Sequence, residues 1–354
     1  MSDVLPFLKS LISVSGLSGY EAPVARIIEE RWKLLVDEIS ISRLGSLHGL
    51  KNGIGSLPRS SVLIATHMDT IGMMVSSMVD GFLCITEIGH IDPRVLPGTP
   101  VIVHASRSGE SLPGVVVLPP ANLLPDGEDK GTVAIKYLLV DTGFTAREIS
   151  KKVQVGDLVS FNTEAVELSG ETVSGHSLDN RASIAALTLC LEELQSRSHV
   201  WDVWAVATVQ EEITYAGAQT SAFQLRPSIA IAVDVTYGKG PDTSGWNTFA
   251  IGKGPTLGVG QNIHPFLNKR FKDVAQKAGI PCTIEPMPVY SLTDADAMQV
   301  TSEGVPTMVV SIPLRNMHTP VEIVSLKDIQ QVGRLLAEFV ISLEEDFIEH
   351  VVWD

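Results

Sequence analysis

Several apolar runs in this chain end on a side chain that can bind a cation or move a proton. SVLIATH ends in His67, WDVWAVATVQEE ends in Glu211 and Glu212, and SIAIAVD ends in Asp234, while PTMVVSIP is followed within a few residues by His318. Asp179, in SGHSLDNRAS, stands where a helical pattern begins. Imidazole and carboxylate are together the donor set of divalent zinc, cobalt or manganese, and a carboxylate can bridge two ions. The plainer readings are a structural histidine, a helix-capping aspartate and a pair of solvated loop charges at Glu211 and Glu212. Those readings require five unrelated accidents at corresponding positions, so a metal site is the simpler account. Asp69 adds to it. Two residues after His67 on an extended chain it lies on the same side, so its carboxylate would hold the ring that His67 offers to a metal. A turn cap before Thr70 is the competing reading.

Such residues meet in one cleft only if their strands run side by side in the same direction. In open parallel sheets ligands bind beyond the carboxyl ends of the strands. The rhythm after Ser177 fits that requirement: a helix through RASIAALTLCLEEL, a strand at WDVWAVATV, a helix near GAQTSAF and a strand at SIAIAVD. A helix over Pro265 to Ala278, another over Asp294 to Thr301, a strand at PTMVVSIP and a closing helix from Leu326 to about Glu345 follow. Strands apolar on both faces and alternating with helices predict an α/β fold, a mainly parallel central sheet covered by helices. The first residues read as two helices, Val4 to Val14 and Tyr20 to Val36, the second opened by a capping box of Ser18 and Glu21. Between Ile39 and Phe161 the texture is different, with short apolar runs broken by Gly and Pro, such as GFLCITEI, TPVIVHA and GVVVLPP. That segment reads as β. The expected organisation is a discontinuous α/β domain over residues 1–72 and 164–354, interrupted at 73–163 by a small β-rich, barrel-like domain.

Composition narrows the partners. The 354 residues carry 26 Lys plus Arg against 41 Asp plus Glu, a net charge of −15, which is the wrong sign for nucleic acid or an anionic membrane surface. No apolar run approaches the ~18 residues that cross a bilayer, and MSDVLPFLKSLISV lacks the pattern of a signal peptide. The three cysteines form no CxxC pair, which argues against a disulfide framework or a thiolate zinc site and points to a reducing cytoplasm. The glycines of GKGPTLGVG and the pair Gly53 and Gly55 lack the Lys-Ser/Thr ending of a phosphate loop.

Six stretches in order, ATHMDTIGM, SGHSLDNRAS, VQEEITYAGA, AVDVT, LTDADAMQVTSEGVPT and NMHTPVEIV, closely resemble the tetrahedral aminopeptidases. These are the glutamyl and deblocking type of dinuclear-zinc exopeptidase, whose members are often labelled endoglucanases. The resemblance extends through HIDPRVLPG and VDTGFTAREISKKVQVGDLVSF of the inserted segment. It implies two divalent ions per subunit, zinc first and cobalt or manganese as substitutes. Asp179 would bridge them, His67 and Asp234 would complete one site, and Glu212 and His318 the other. Glu211 matches the general base and Asp69 the residue that orients the first histidine. The resemblance further implies short peptides as substrates, dimers assembling to a hollow tetrahedral dodecamer, and a cis peptide bond after Asp179. The sequence departs from the family pattern at Ser291 and Leu292, where two glycines are usual, and at Asn180, where Asp is usual; the first change falls where the substrate pocket would be. His176, Arg181, Asp294 and Arg315 lie in the matched stretches without an evident role.

The leading function is therefore a metal-dependent aminopeptidase that cleaves with a metal-activated water. A related dinuclear deacylase or carboxypeptidase shares the chemistry. An endoglucanase would need two carboxylates flanking a sugar bond from opposite sides, about 5 Å or more apart. Neighbours such as Glu211 and Glu212 are poorly placed for that, and 6% aromatic residues is sparse for a glucan-binding surface. An inactive metal-binding scaffold would lack a ligand or the base, and none is missing.

Overall fold

The computed structural model describes residues 3–120, 122, 124, 131–241 and 245–353. Four parallel strands form the centre of the main sheet, in the order Asp202–Thr208, Ser61–His67, Ile229–Tyr237 and Thr307–Arg315. Their sequences are runs of Val, Ile and Ala, and nearly every residue is buried, as expected of strands covered on both faces. The expected parallel sheet is this centre. Antiparallel strands extend it on both sides, from Leu47–Lys51 and Glu38–Ile41 at one edge to Glu322–Ser325, Thr172–Gly175 and Val166–Leu168 at the other. A further pair, Thr256–Gly260 and Thr283–Met287, leans on the Thr307–Arg315 strand.

The helix Leu178–Glu193 is buried along almost its whole length. It is sandwiched between the sheet and the amphipathic closing helix Leu326–Ile341, which in turn stacks Phe339 on Phe271 of the Pro265–Ala278 helix, ring centres 4.1 Å apart. The two helices meet so closely at Gly333 that a Cβ there would stand 2.6 Å from the carbonyl oxygen of Ala186. The closing helix ends at Ile341, short of the expected Glu345. The carbonyl of Glu344 is engaged by the Trp201 indole N–H at 2.8 Å, and the chain turns so that Phe347 packs edge-on against that ring.

Six strands, Gly72–Val79, Phe82–Ile88, Leu139–Asp141, Glu110–Val117, Pro100–Ala105 and Leu158–Phe161, close into a barrel in that order. The barrel has its own apolar core, including Val75, Ile85, Val103, Val116 and Val140. Closure removes the sheet edges that would otherwise invite aggregation. Part of the connection between Val117 and Leu139 lies outside the described residues.

At the amino end the helices are Leu5–Ile12 and Ala22–Trp32, and the expected capping box does not form. The Ser18 hydroxyl instead donates to Asp69 at 2.6 Å, and the Glu21 carboxylate accepts from the backbone N–H groups of Gly19 and Gln210. Both side chains are drawn to the carboxyl edge of the central strands.

An added methyl in an open helix gains about 1 kcal/mol over glycine. At Gly333 the overlap with Ala186 reverses the sign, so Gly333→Ala is expected to destabilise the protein by about 1–3 kcal/mol. A lower urea midpoint with unchanged slope would report it; an equal or higher midpoint would mean that the two helices separate freely.

Candidate active site

Strand register brings the chemistry together. His67 is the last residue of its strand and pairs with Thr208, after which Gln210, at φ 59°, turns the chain so that Glu211 and Glu212 begin a short helix. Asp234 sits opposite Ser311 on the next strand. Asp179 enters from the start of its helix, where Ser177 has φ 60° and the Asp179–Asn180 peptide is cis as expected, and His318, at φ 61°, comes from the loop after Arg315. Non-glycine residues with positive φ are uncommon, and functional sites are where the surrounding structure holds them.

All six side chains converge. His67 Nε2 lies 3.2 Å from Asp179 Oδ1, 3.6 Å from Asp234 Oδ1 and 3.7 Å from Glu211 Oε2. His318 Nε2 lies 3.5 Å from Asp179 Oδ2 and 3.5 Å from Glu212 Oε2. The two oxygens of Asp179 thus face different histidines.

Asp69 is completely buried and does more than was expected of it. Its carboxylate accepts the backbone N–H groups of Glu211 (3.0 Å, Oδ1) and Glu212 (3.2 Å, Oδ2) together with the Ser18 hydroxyl. It stands 3.6 Å from His67 Nδ1, while the backbone carbonyl of Asp69 is 3.2 Å away. A carbonyl can only accept, so Nδ1 keeps a proton and Nε2 is the nitrogen that faces the cleft and would be given to a metal.

Three contributors escaped the sequence reading. Glu322, fully buried, accepts the backbone N–H of Asp179 at 3.1 Å and of His318 at 3.0 Å, so one carboxylate fixes two candidate ligands. Its signal was its place four residues after His318. Ser18 and Glu21 were read as a local cap, and only tertiary contact shows otherwise. Of the residues without a role, Asp294 accepts the Thr208 hydroxyl at 2.5 Å beneath the site. Arg181 donates to the carbonyls of Leu11 and Val14, His176 pairs with the Ser177 hydroxyl, and Arg315 donates to the carbonyl of Lys239. Ser291 and Leu292 are held by Asp296 and line the cleft wall.

Carboxylates outnumber cations here, and titration reflects it. Burial raises Glu211, Glu212 and Glu322 well above the ordinary range. His67 partly offsets this for Glu211 and Glu212, while neighbouring carboxylates push all three further up. Burial likewise lifts Asp234, and takes Asp294 to about 7. Burial alone would depress His67, yet Glu211, Asp234 and Asp179 raise it well above its usual value. Asp179 runs the other way: burial would raise it, but its contacts with His318 and His67 hold it low. The cleft, about 640 Å³, gathers more carboxyls than its histidines can balance.

The sequence matches the model of the M42 glutamyl aminopeptidases over residues 45–335. The chain belongs to the M42 family. The lysyl aminopeptidase of Pyrococcus furiosus is 34% identical over 93% of this chain and 94% of its own length. The solved TET aminopeptidase of the marine-sediment archaeon Thaumarchaeota archaeon SCGC AB-539-E09 superposes with a TM-score of 0.92 at 29% identity, covering 99% of both chains. The TET1 peptidase of Pyrococcus horikoshii gives a TM-score of 0.83 at 27% identity, covering 96% of this chain and all of that one. This M42 protein is a metal-dependent aminopeptidase, a peptide hydrolase.

The M42 family implies divalent metal, and the residues fit it. His67 with Glu211 and Asp234, and His67 with Asp179 and Glu212, bring candidate ligand atoms within 4.8 Å of one another. Glu212 Oε1 is buried without a hydrogen-bond partner in the structure, which leaves it open to a metal ion.

Metal binding must displace protons from the raised carboxylates and from His67. Each of these groups has a raised folded pKa, so without metal its contribution to stability is present at low pH and is lost as pH rises through that pKa. The stabilisation conferred by zinc, measured as the difference in Tm with and without chelator, is therefore expected to grow between about pH 5.5 and pH 8. Buried histidines such as His48, held down to about 4 by burial, cancel in that difference. A zinc-induced shift that shrinks with rising pH would contradict this electrostatic account.

Proposed function

We propose that this aminopeptidase removes N-terminal residues from short peptides at a two-metal site bridged by Asp179. His67 and Asp234 complete one position, and Glu212 and His318 the other. The observation that carries the reading is the split of Asp179, one oxygen 3.2 Å from His67 and the other 3.5 Å from His318, with Asp234 beside the first histidine and Glu212 beside the second. Zinc is the first choice for this donor set, and cobalt or manganese would be accepted. When bound, a pair of such ions supplies hydroxide at neutral pH and polarises the scissile carbonyl.

The protein's own part is positioning and proton transfer. Asp69 grips the backbone on both sides of the Glu211–Glu212 turn, aiming Glu211 towards the reacting water. The raised pKa of Glu211 suits a base that takes the water proton and delivers it to the departing amine. Because one carboxylate holds both N–H groups, Glu211 and Glu212 leave a single turn together, which disfavours the opposed carboxylates of a glycosidase.

We divide the chain into a catalytic domain of residues 1–72 with 164–354 and an inserted domain of residues 73–163, and give the insert the tasks of assembly and control of access; the closed barrel with its own apolar core supports that reading. The P. horikoshii relative assembles into a tetrahedron or a large octahedral shell, and we extend to this chain a homo-oligomer built from dimers into a dodecamer. Three free cysteines and no helix among the described residues long and apolar enough to cross a membrane are compatible with the cytoplasm.

Glu211→Gln is expected to keep its metals and lose 10²- to 10⁴-fold in turnover, as for removal of a positioned general base. Glu212→Gln is expected to lose metal, with activity partly recovered by excess zinc. Metal content by mass spectrometry and hydrolysis of an aminoacyl anilide decide it; the reverse pattern would exchange the two roles. For the assembly, light scattering should give a mass near twelve subunits, and a strictly monomeric protein at micromolar concentration would overturn it.

A further inference from the structure

One ionisable group facing the cleft has no place in the metal chemistry. Glu285 lies on the Thr283–Met287 strand and is half-buried. Its carboxylate accepts hydroxyl hydrogen bonds from Thr236 (2.5 Å, Oε1) and Thr256 (2.5 Å, Oε2). Thr236 is two residues beyond Asp234 on the same strand and face, so Glu285 is hydrogen-bonded to a residue about 6–7 Å along that strand from the candidate ligand. Two hydroxyls fix the carboxylate's position but leave lone pairs unused. The exposed aromatic residues Tyr237, Trp246 and Tyr290 line the same cleft. No Lys or Arg stands among the described residues that line it.

We propose that Glu285 is a specificity-determining residue that selects peptides whose first side chain is cationic, lysine or arginine. The inference rests on the aminopeptidase reading of the same cleft. Two divalent ions balance the charges of Asp179, Asp234, Glu212 and Glu211, which leaves Glu285 as the negative charge facing the substrate. With the peptide's α-amino group among the carboxylates of the metal site, a four-carbon stem spans the distance to Glu285. The stem packs against the rings and the cation gains from their faces. An aliphatic first residue would cover Glu285 without pairing it, leaving a desolvated carboxylate. An acidic one would meet it with like charge. Burial already raises the Glu285 pKa against the pull of Thr236, Thr256 and Ser311, the condition in which a carboxylate gains most from a cation.

Lysine and norleucine differ at the tip by an ammonium against a methyl, so the pair isolates the charge. For anilides of the two, the zinc-loaded wild-type protein is expected to show a kcat/KM at least tenfold higher with lysine. Glu285→Gln is expected to lower that lysine-to-norleucine ratio by about 10- to 100-fold, the scale of a hydrogen bond to a charged group. A wild-type ratio near one, a preference for glutamyl anilide, or a ratio unmoved by the substitution would overturn the proposal. Calorimetric binding of lysine amide and norleucine amide to the loaded wild-type protein reads the same preference without turnover. Tighter lysine amide binding without hydrolysis of any anilide would sustain the pocket and sink the peptidase reading; equal binding would sink the pocket.

Discussion

A protein interior tolerates a buried charge only when it is paired or coordinated, and this molecule gathers Asp69, Asp179, Glu211, Asp234, Asp294 and Glu322 within the end of one sheet. His67 and Arg181 are the buried cations nearest to them, and they do not suffice: several of the carboxyls titrate far above their ordinary range. The deficit is the organising constraint. Two of the carboxylates are instead consumed by backbone N–H groups and a hydroxyl, Asp69 by Glu211, Glu212 and Ser18, and Glu322 by Asp179 and His318. Candidate ligand atoms of His67, Glu211 and Asp234, and of His67, Asp179 and Glu212, come within 4.8 Å of one another.

The same hydrogen bonds tie distant parts of the chain together. Ser18 reaches the site from the segment between the first two helices, and Glu21 holds Gln210 at the turn that launches the two glutamates. Arg181, one turn into the helix that carries Asp179, anchors that segment by its carbonyls at Leu11 and Val14. Its guanidinium also packs where Gly16 has no side chain, since a Cβ there would lie 2.5 Å from Nη2. Burial lowers the Arg181 pKa to about 10, partly restored by Asp69 and Glu322, so it remains charged and partly balances the two structural carboxylates. The amino-terminal helices are therefore part of how the site is held.

The legible part of the fold is the part fixed by short-range pattern. Apolar runs ending in His67, Glu211, Asp234 and His318 announce parallel strands and their carboxyl edge, because a strand buried on both faces has no polar residue until it leaves the sheet. The antiparallel extensions were less visible: Glu38–Ile41 and Val166–Leu168 are exposed edge strands, and their pairing is decided by neighbours far along the chain. Ser18 and Glu21 mimic a helix cap exactly where a tertiary acceptor and donor lie closer to hand. Glu285 is silent in sequence, since a single glutamate on a half-buried edge strand has no periodic signature; only its tertiary hydrogen bonds from Thr256 and Thr236 reveal what it faces.

The position of the barrel follows from the same edge. The chain leaves the central sheet after His67, passes through Asp69, and enters the first barrel strand at Gly72, where a side chain would collide with Leu17. An insertion at that point must begin at the carboxyl ends of the strands, where the cleft opens. One of its loops accordingly brings His90 to the cleft, and Gly89, with φ 72°, passes close to Ile71 and to Glu212. Had the segment been inserted at the opposite ends of the strands, it could add mass but not wall the site. Inserted here, it shares the cleft with the candidate ligands and Glu285, and His90 of its own chain segment forms part of the wall.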